Sequence, residues 1–234
     1  MNPVEKFDSL TLVQKLIFVN VVVFIVALLI DTSTDNFRLD LFGFLSPSPS
    51  VLIKIGAAGI IPSSVDHRWW TLVSANYIHI GALHLILNMY ALNTLGKITV
   101  SMYGSSRLLI IYTFGGAFSM YASCLAQISL TAGASGAICA LIGAIIYGDW
   151  REGGRSAKSL YRSFGVWAAM LVVIGFVMPN VNNWAHAAGL VVGLPIGMLL
   201  WREQKADHDD SLCQFLAASC AAATVGSFFF ALTS

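Results

Sequence analysis

The stretch Gly133-Ala134-Ser135-Gly136-Ala137-Ile138-Cys139-Ala140-Leu141-Ile142-Gly143-Ala144-Ile145-Ile146-Tyr147 decides the fold. It carries no charge and is apolar after its first four residues, so it reads as a membrane helix. From Ser135 to Tyr147 such a helix rises only about 18 Å. The hydrocarbon core is about 30 Å thick. With its inner end at the cytoplasmic boundary, the helix places Ser135 about 10 Å below the outer surface. A serine in that position lies beside free backbone N–H groups and the positive end of the helix dipole, which can stabilise a developing oxyanion. Taken alone, the stretch is read more simply as a capping serine beside packing glycines.

The rest of the 234-residue chain agrees with a membrane setting. Hydrophobic residues make up 57% and charged residues 11%, where soluble domains carry about 25% charge. Such a chain is neither disordered nor, at a formal net charge of +1, a nucleic-acid binder working by bulk positive charge. Seven segments qualify wholly or partly as spans: Leu12–Ile30, His79–Ile98, Leu108–Leu125, Gly133–Tyr147, Phe164–Met178, Trp184–Trp201 and Leu212–Leu232. The expected fold is an all-α polytopic membrane protein. Residues 1–234 are expected to form one membrane domain, with six spans in 1–201 and a linker and seventh span in 202–234.

No acid lies between Asp66 and Asp149 or between Glu152 and Glu203, so charges are confined to connections, where water can reach them. Ten Lys and Arg fall on the side of the N-terminus and three, Arg38, Lys54 and Arg68, in the first loop. This asymmetry predicts a cytoplasmic N-terminus. Leu12–Ile30 is longer than a signal-peptide core and no A-x-A-like site follows it, which predicts a retained span. Cys124, Cys139, Cys213 and Cys220 lie in apolar segments without metal-type spacing, and are expected to be small core residues. The long first loop, Asp31 to Tyr77, is rich in apolar residues and is expected to lie in the membrane interface.

Two further polar clusters lie at the outer ends of spans. In Trp184-Ala185-His186-Ala187-Ala188-Gly189, the residues His186, Gly189, Gly193 and Gly197 share one helix face. Gly136, Ala140 and Gly143 offer a matching stripe of small residues, and packing the two together would bring His186 near Ser135. A glycine packing seam with an incidental histidine remains the rival reading. His79, His84 and Asn88 open the second span. His84 and Asn88 share a face and can donate to an oxygen, or they can simply bond neighbouring helices. A metal site from His79, His84 and His186 would lack the carboxylates such sites usually add. Three spans thus deliver a nucleophile, a base and oxyanion donors to one membrane half, the set acyl transfer needs. With no acid in any span, the pair would be a Ser–His dyad rather than a triad.

From about Ile55 to Trp201 the sequence resembles the rhomboid intramembrane serine proteases. GASG at 133–136 matches the family's GxSG and AHAAG at 185–189 its AHxxG. HIGALHLILNM from His79 to Met89 matches the second-span pattern, and Trp69-Trp70 resembles the first-loop motif. The resemblance implies Ser135 as nucleophile and His186 as general base. It implies an oxyanion hole of His84, Asn88 and the Ser135 N–H, with Gly133 shaping the loop to the nucleophile and Gly136 and Gly189 in support. The implied substrates are transmembrane proteins in a lipid bilayer, with no cofactor, no metal and no nucleic acid. The expected setting is a prokaryotic plasma membrane, the site opening outward. The alternative is a rhomboid-like protein that binds membrane proteins without cutting them. Three positions depart from the pattern: Thr71 replaces an Arg, Val100 a Glu, and Cys139 an aromatic residue that packs on the catalytic histidine.

Overall fold

The computed structural model describes residues 10–33, 44–152, 181–201 and 211–233. Eight α-helices lie within them: α1 (Leu12–Ile30), α2 (Pro49–Lys54), α3 (Thr71–Ser74), α4 (Ala82–Tyr103), α5 (Ser105–Leu125), α6 (Ser135–Arg151), α7 (Asn183–Leu200) and α8 (Ser211–Thr233). The fold is that of an all-α polytopic membrane protein. The helices α1, α5, α7 and α8 are long and apolar enough to span, and residues 71–77 with α4 form a further candidate, bent by 91°. The expected span Phe164–Met178 lies outside the described residues.

Local sequence sets the helix ends. Thr11 and Gln14 form a capping box at the start of α1, which satisfies orphan N–H groups reciprocally. The second span starts and ends later than expected, at Ala82 and Tyr103 rather than His79 and Ile98. A glycine stands at both ends, and at the second it sets the boundary. Gly81 caps the start, and Gly104, at φ 88°, closes α4 and opens α5 as a one-residue connection. A β-carbon is poorly tolerated at such a φ. The short helix α6 starts at Ser135 itself and runs four residues beyond Tyr147, to Arg151.

The centre of the bundle is α6, which is buried from Gly136 through Ile145. A helix apolar all round belongs at the core of a bundle. Its most extensive neighbour is α7, and the seam between them is made by missing side chains. An added Cβ on Gly189 would stand 2.2 Å from the Gly136 carbonyl oxygen, and one on Gly193 2.2 Å from that of Ala140. On Gly197 it would meet Ala144 Cα at 2.7 Å, and on Gly143 the Leu190 oxygen at 2.4 Å. Small residues therefore let the two backbones touch, along the stripe expected from sequence.

The first loop has a small core of its own. Val51, Leu52, Ile55, Ala57 and Ile78 form a buried cluster with Ala27 of α1, while Ile61, Val65 and Trp69 face outward. Ala58 pairs with Thr131 in an isolated two-residue bridge, tying this loop to the one before α6. The helix α8 lies against α5 and α3, where Phe230 meets Trp70 and Phe228 meets Tyr77, ring centroids 5.5 and 6.1 Å apart. All four cysteines are buried, and none is in a disulfide.

Candidate active site

Ser135 is the first residue of α6, so its backbone N–H has no acceptor within the helix. The chain reaches it through Gly133 at φ +140°, whose N–H donates to the Ala75 carbonyl at 2.9 Å. His186 lies in the first turn of α7. The crossing of α6 and α7 brings His186 Nε2 to 2.8 Å from Ser135 Oγ, a distance at which the serine hydroxyl can donate to the ring nitrogen. Both residues are half-buried. His186 Nδ1 is buried and has no hydrogen-bond partner among the described residues.

His84 approaches from α4. An added Cβ on Gly133 would stand 2.6 Å from His84 Cε1, 3.0 Å from its Nε2 and 3.8 Å from Ser135 Oγ. The histidine and the serine hydroxyl therefore flank the same glycine. His79 is fully buried behind His84, ring centroids 5.1 Å apart. Asn88 is buried, and its amide nitrogen donates to the His84 carbonyl one turn back at 2.9 Å. That bond uses one of its two amide hydrogens. Gly136 lies over Ser119 of α5, 2.6 Å from that Cβ to an added one.

A polar chain behind the pair escapes a motif-based reading. Asn182 precedes α7, and its Oδ1 accepts from Ala185 N–H at 3.2 Å. Its Nδ2 donates to Ser123 Oγ at 2.7 Å and to Thr131 Oγ1 at 3.0 Å. Ser123 in turn donates to the Ser119 carbonyl at 2.8 Å. The one sequence signal for Asn182 is its place before a helix start, where asparagine is a favoured cap. Nothing in the sequence links it to Ser123 or Thr131.

Cys139 is buried on the face of α6 that meets Gly189. Trp184 is 63% exposed. Thr71 is fully buried, donating to the Arg68 carbonyl at 2.7 Å with Ser63 Oγ also at 2.7 Å.

Comparison with known proteins meets the same region. The Rhomboid domain profile matches residues 66–203, more than half of the chain. RHOMBOID-like protein 6, mitochondrial, of Arabidopsis thaliana is 31% identical over 71% of this chain and 55% of its own length. Rhomboid protease GluP of Bacillus subtilis (strain 168) is 35% identical over 54% of this chain and 25% of its own. RHOMBOID-like protein 2 of Arabidopsis thaliana is 31% identical over 68% and 50%. The chain thus matches about half the length of these plant relatives and a quarter of the bacterial one. The plant relatives, one named as mitochondrial, give no support to the expected prokaryotic plasma membrane. Matched over most of its helical core, this chain belongs to the rhomboid family of multi-pass membrane proteins.

Proposed function

We propose that this protein is an intramembrane serine endopeptidase in which Ser135 and His186 form a catalytic dyad. The observation that carries the reading is the 2.8 Å approach of Ser135 Oγ to His186 Nε2. In this mechanism His186 Nε2 takes the hydroxyl proton as Oγ attacks the scissile carbonyl carbon. The resulting oxyanion lies toward the start of α6, where the Ser135 N–H, His84 and the second amide hydrogen of Asn88 are the candidate donors. His186 then returns the proton to the leaving amine, leaving an acyl-enzyme on Ser135. A water, deprotonated by His186, releases the carboxylate product and restores the serine.

The substrates in this reading are transmembrane proteins whose helix loosens near the cut. A helical peptide bond has its carbonyl engaged in the i→i−4 ladder, so it must unwind before attack. The half-buried Ser135, His186 and His84 fit a site that water can also enter. The charge asymmetry supports a cytoplasmic N-terminus and a site opening to the other side. Residues 1–201 are the catalytic core, and 202–234 add a linker and α8.

The test is labelling of the full chain in detergent or liposomes with a serine-directed fluorophosphonate, beside cleavage of a transmembrane substrate. Labelling and cleavage that both vanish in Ser135→Ala are the expected result. Labelling that persists in Ser135→Ala assigns the wrong nucleophile. Absence of both in the wild type leaves a rhomboid-like protein that binds without cutting.

A further inference from the structure

His186 has few side-chain partners to hold it in place. Its Nδ1 has no partner among the described residues, and the position one turn past the nucleophile is the small Cys139 rather than an aromatic ring. Apart from the Ser135 contact at Nε2, the ring's location depends on where the first turn of α7 is set. We propose that Asn182 is a positioning residue for the Ser135–His186 pair, an inference that rests on the dyad reading above.

Asn182 is suited to this by all of its side-chain bonds at once. Its Oδ1 caps α7 at Ala185, directly before His186, and its backbone carbonyl accepts the His186 N–H at 3.3 Å. Its Nδ2 fastens that cap to two other elements, α5 through Ser123 and the loop before Ser135 through Thr131. Thr131 is itself fixed to Ala58 by reciprocal backbone bonds of 2.7 and 3.0 Å. The orientation of the amide is determined, because Ser123 spends its hydroxyl hydrogen on Ser119 and presents a lone pair to Nδ2. A flipped amide would set N–H groups against the Ala185 N–H. One side chain thus registers the base-bearing helix against the loop that leads to the nucleophile, four residues before Ser135 on one side and four before His186 on the other.

A cap alone would hold α7 together, whereas the two cross-links set where α7 starts relative to Ser135. Asn182→Ser separates these roles. Serine keeps a capping oxygen, since it ranks with asparagine at that position, but is too short to reach both Ser123 and Thr131. Asn182→Ala removes cap and links, and Thr131→Val removes one link only.

The experiment measures kcat, KM and the pH profile of kcat/KM for cleavage of a transmembrane substrate, with detergent melting curves, in the full chain. Misplacement of a catalytic group by about 1 Å costs up to about 100-fold. Asn182→Ser is expected to lower kcat by about 10- to 100-fold, with KM nearly unchanged and melting close to wild type. The pH profile should shift, because the Ser135–His186 hydrogen bond is weakened. Thr131→Val should show a smaller loss in the same direction. Wild-type kcat and pH profile in Asn182→Ser overturn the proposal and leave the dyad reading intact. Loss in Asn182→Ala alone, in step with a lowered melting point, assigns Asn182 a purely structural role and also overturns it. A wild type without Ser135-dependent cleavage overturns both readings.

Discussion

His84 and Gly133 are fitted face to face: a Cβ placed on the glycine would stand 2.6 Å from Cε1 and 3.0 Å from Nε2 of the imidazole. The contact forces Gly133 to be a glycine twice over, because its φ of +140° is also a conformation closed to most side chains. Gly133→Ala is expected to displace either His84 or the turn that delivers Ser135. The backbone strain alone costs about 1–3 kcal/mol. Cleavage should fall by tenfold or more while circular dichroism shows the helices intact; full activity in Gly133→Ala would remove the fit from the mechanism.

Ser135→Ala and His186→Ala should each reduce cleavage to background, and the double variant should be no worse than either single one. Groups that act as one unit lose their effect together rather than additively. Single-turnover assays of all three variants check this, and a double variant much slower than both would separate the two roles.

His84→Ala should cost less than Ser135→Ala. Removing one oxyanion donor typically costs about 100- to 1,000-fold in kcat. Asn88→Ala removes a possible donor and also the bond to the His84 carbonyl, so its effect should include a shift of His84. A crystal or NMR comparison of His84 in Asn88→Ala, paired with kcat, distinguishes the two contributions.

The seam between α6 and α7 predicts a contrast between glycines. Gly193→Val must push against the Ala140 carbonyl, 2.2 Å from the added Cβ, and should destabilise by about 3 kcal/mol, the upper end of overpacking costs, or more. Gly226, with nothing within 4 Å of its added Cβ, should accept alanine and gain about 0.5–1 kcal/mol of helix stability. Equilibrium unfolding in mixed micelles would read both, and equal effects would contradict the seam.

Asp31 supplies a pH dependence outside the spans. The Ser48 N–H donates to its carboxylate at 2.5 Å, with the Ser33 N–H at 2.9 Å. The Ser48 bond, the larger cause, holds its pKa well below the ordinary 3.8 against an opposing desolvation. A depressed carboxylate stabilises the fold fully above the unfolded value and loses that contribution as pH falls below it. The melting difference between wild type and Asp31→Asn should therefore be constant near neutrality and shrink below pH 3.8. A difference that widens in acid would reverse the assignment.

Much of the fold is legible before any coordinates. The spans Leu12–Ile30 and Leu212–Leu232 fall within one residue of α1 and α8 at each end, because long, predominantly apolar runs have few alternatives in a membrane. Helix ends set by glycine were less legible. The apolar pattern places the start of the second span at His79, yet His79 precedes the bend and Gly81 is the N-cap of α4. In the first loop, Val51, Leu52, Ile55 and Ala57 gather into a cluster with Ala27 and Ile78, a partition that composition alone does not reveal.

Which helices can touch is already written in the order of small residues. The small residues at Gly136, Ala140 and Gly143 and at Gly189, Gly193 and Gly197 leave room for two backbones to meet, and the order of GASG and AHAAG puts Ser135 and His186 at one end of that seam. The bonds made there follow from the packing of the folded chain. The 2.8 Å approach of His186 to Ser135, the engagement of Asn88 with the His84 carbonyl and the span of Asn182 from Ser123 to Thr131 all depend on how elements cross or how a side chain turns. Hydrophobic periodicity reports which face of a helix is apolar, accurate to a turn or so. A hydrogen bond between residues 51 or 59 positions apart is decided within a few tenths of an ångström, and that precision comes from packing.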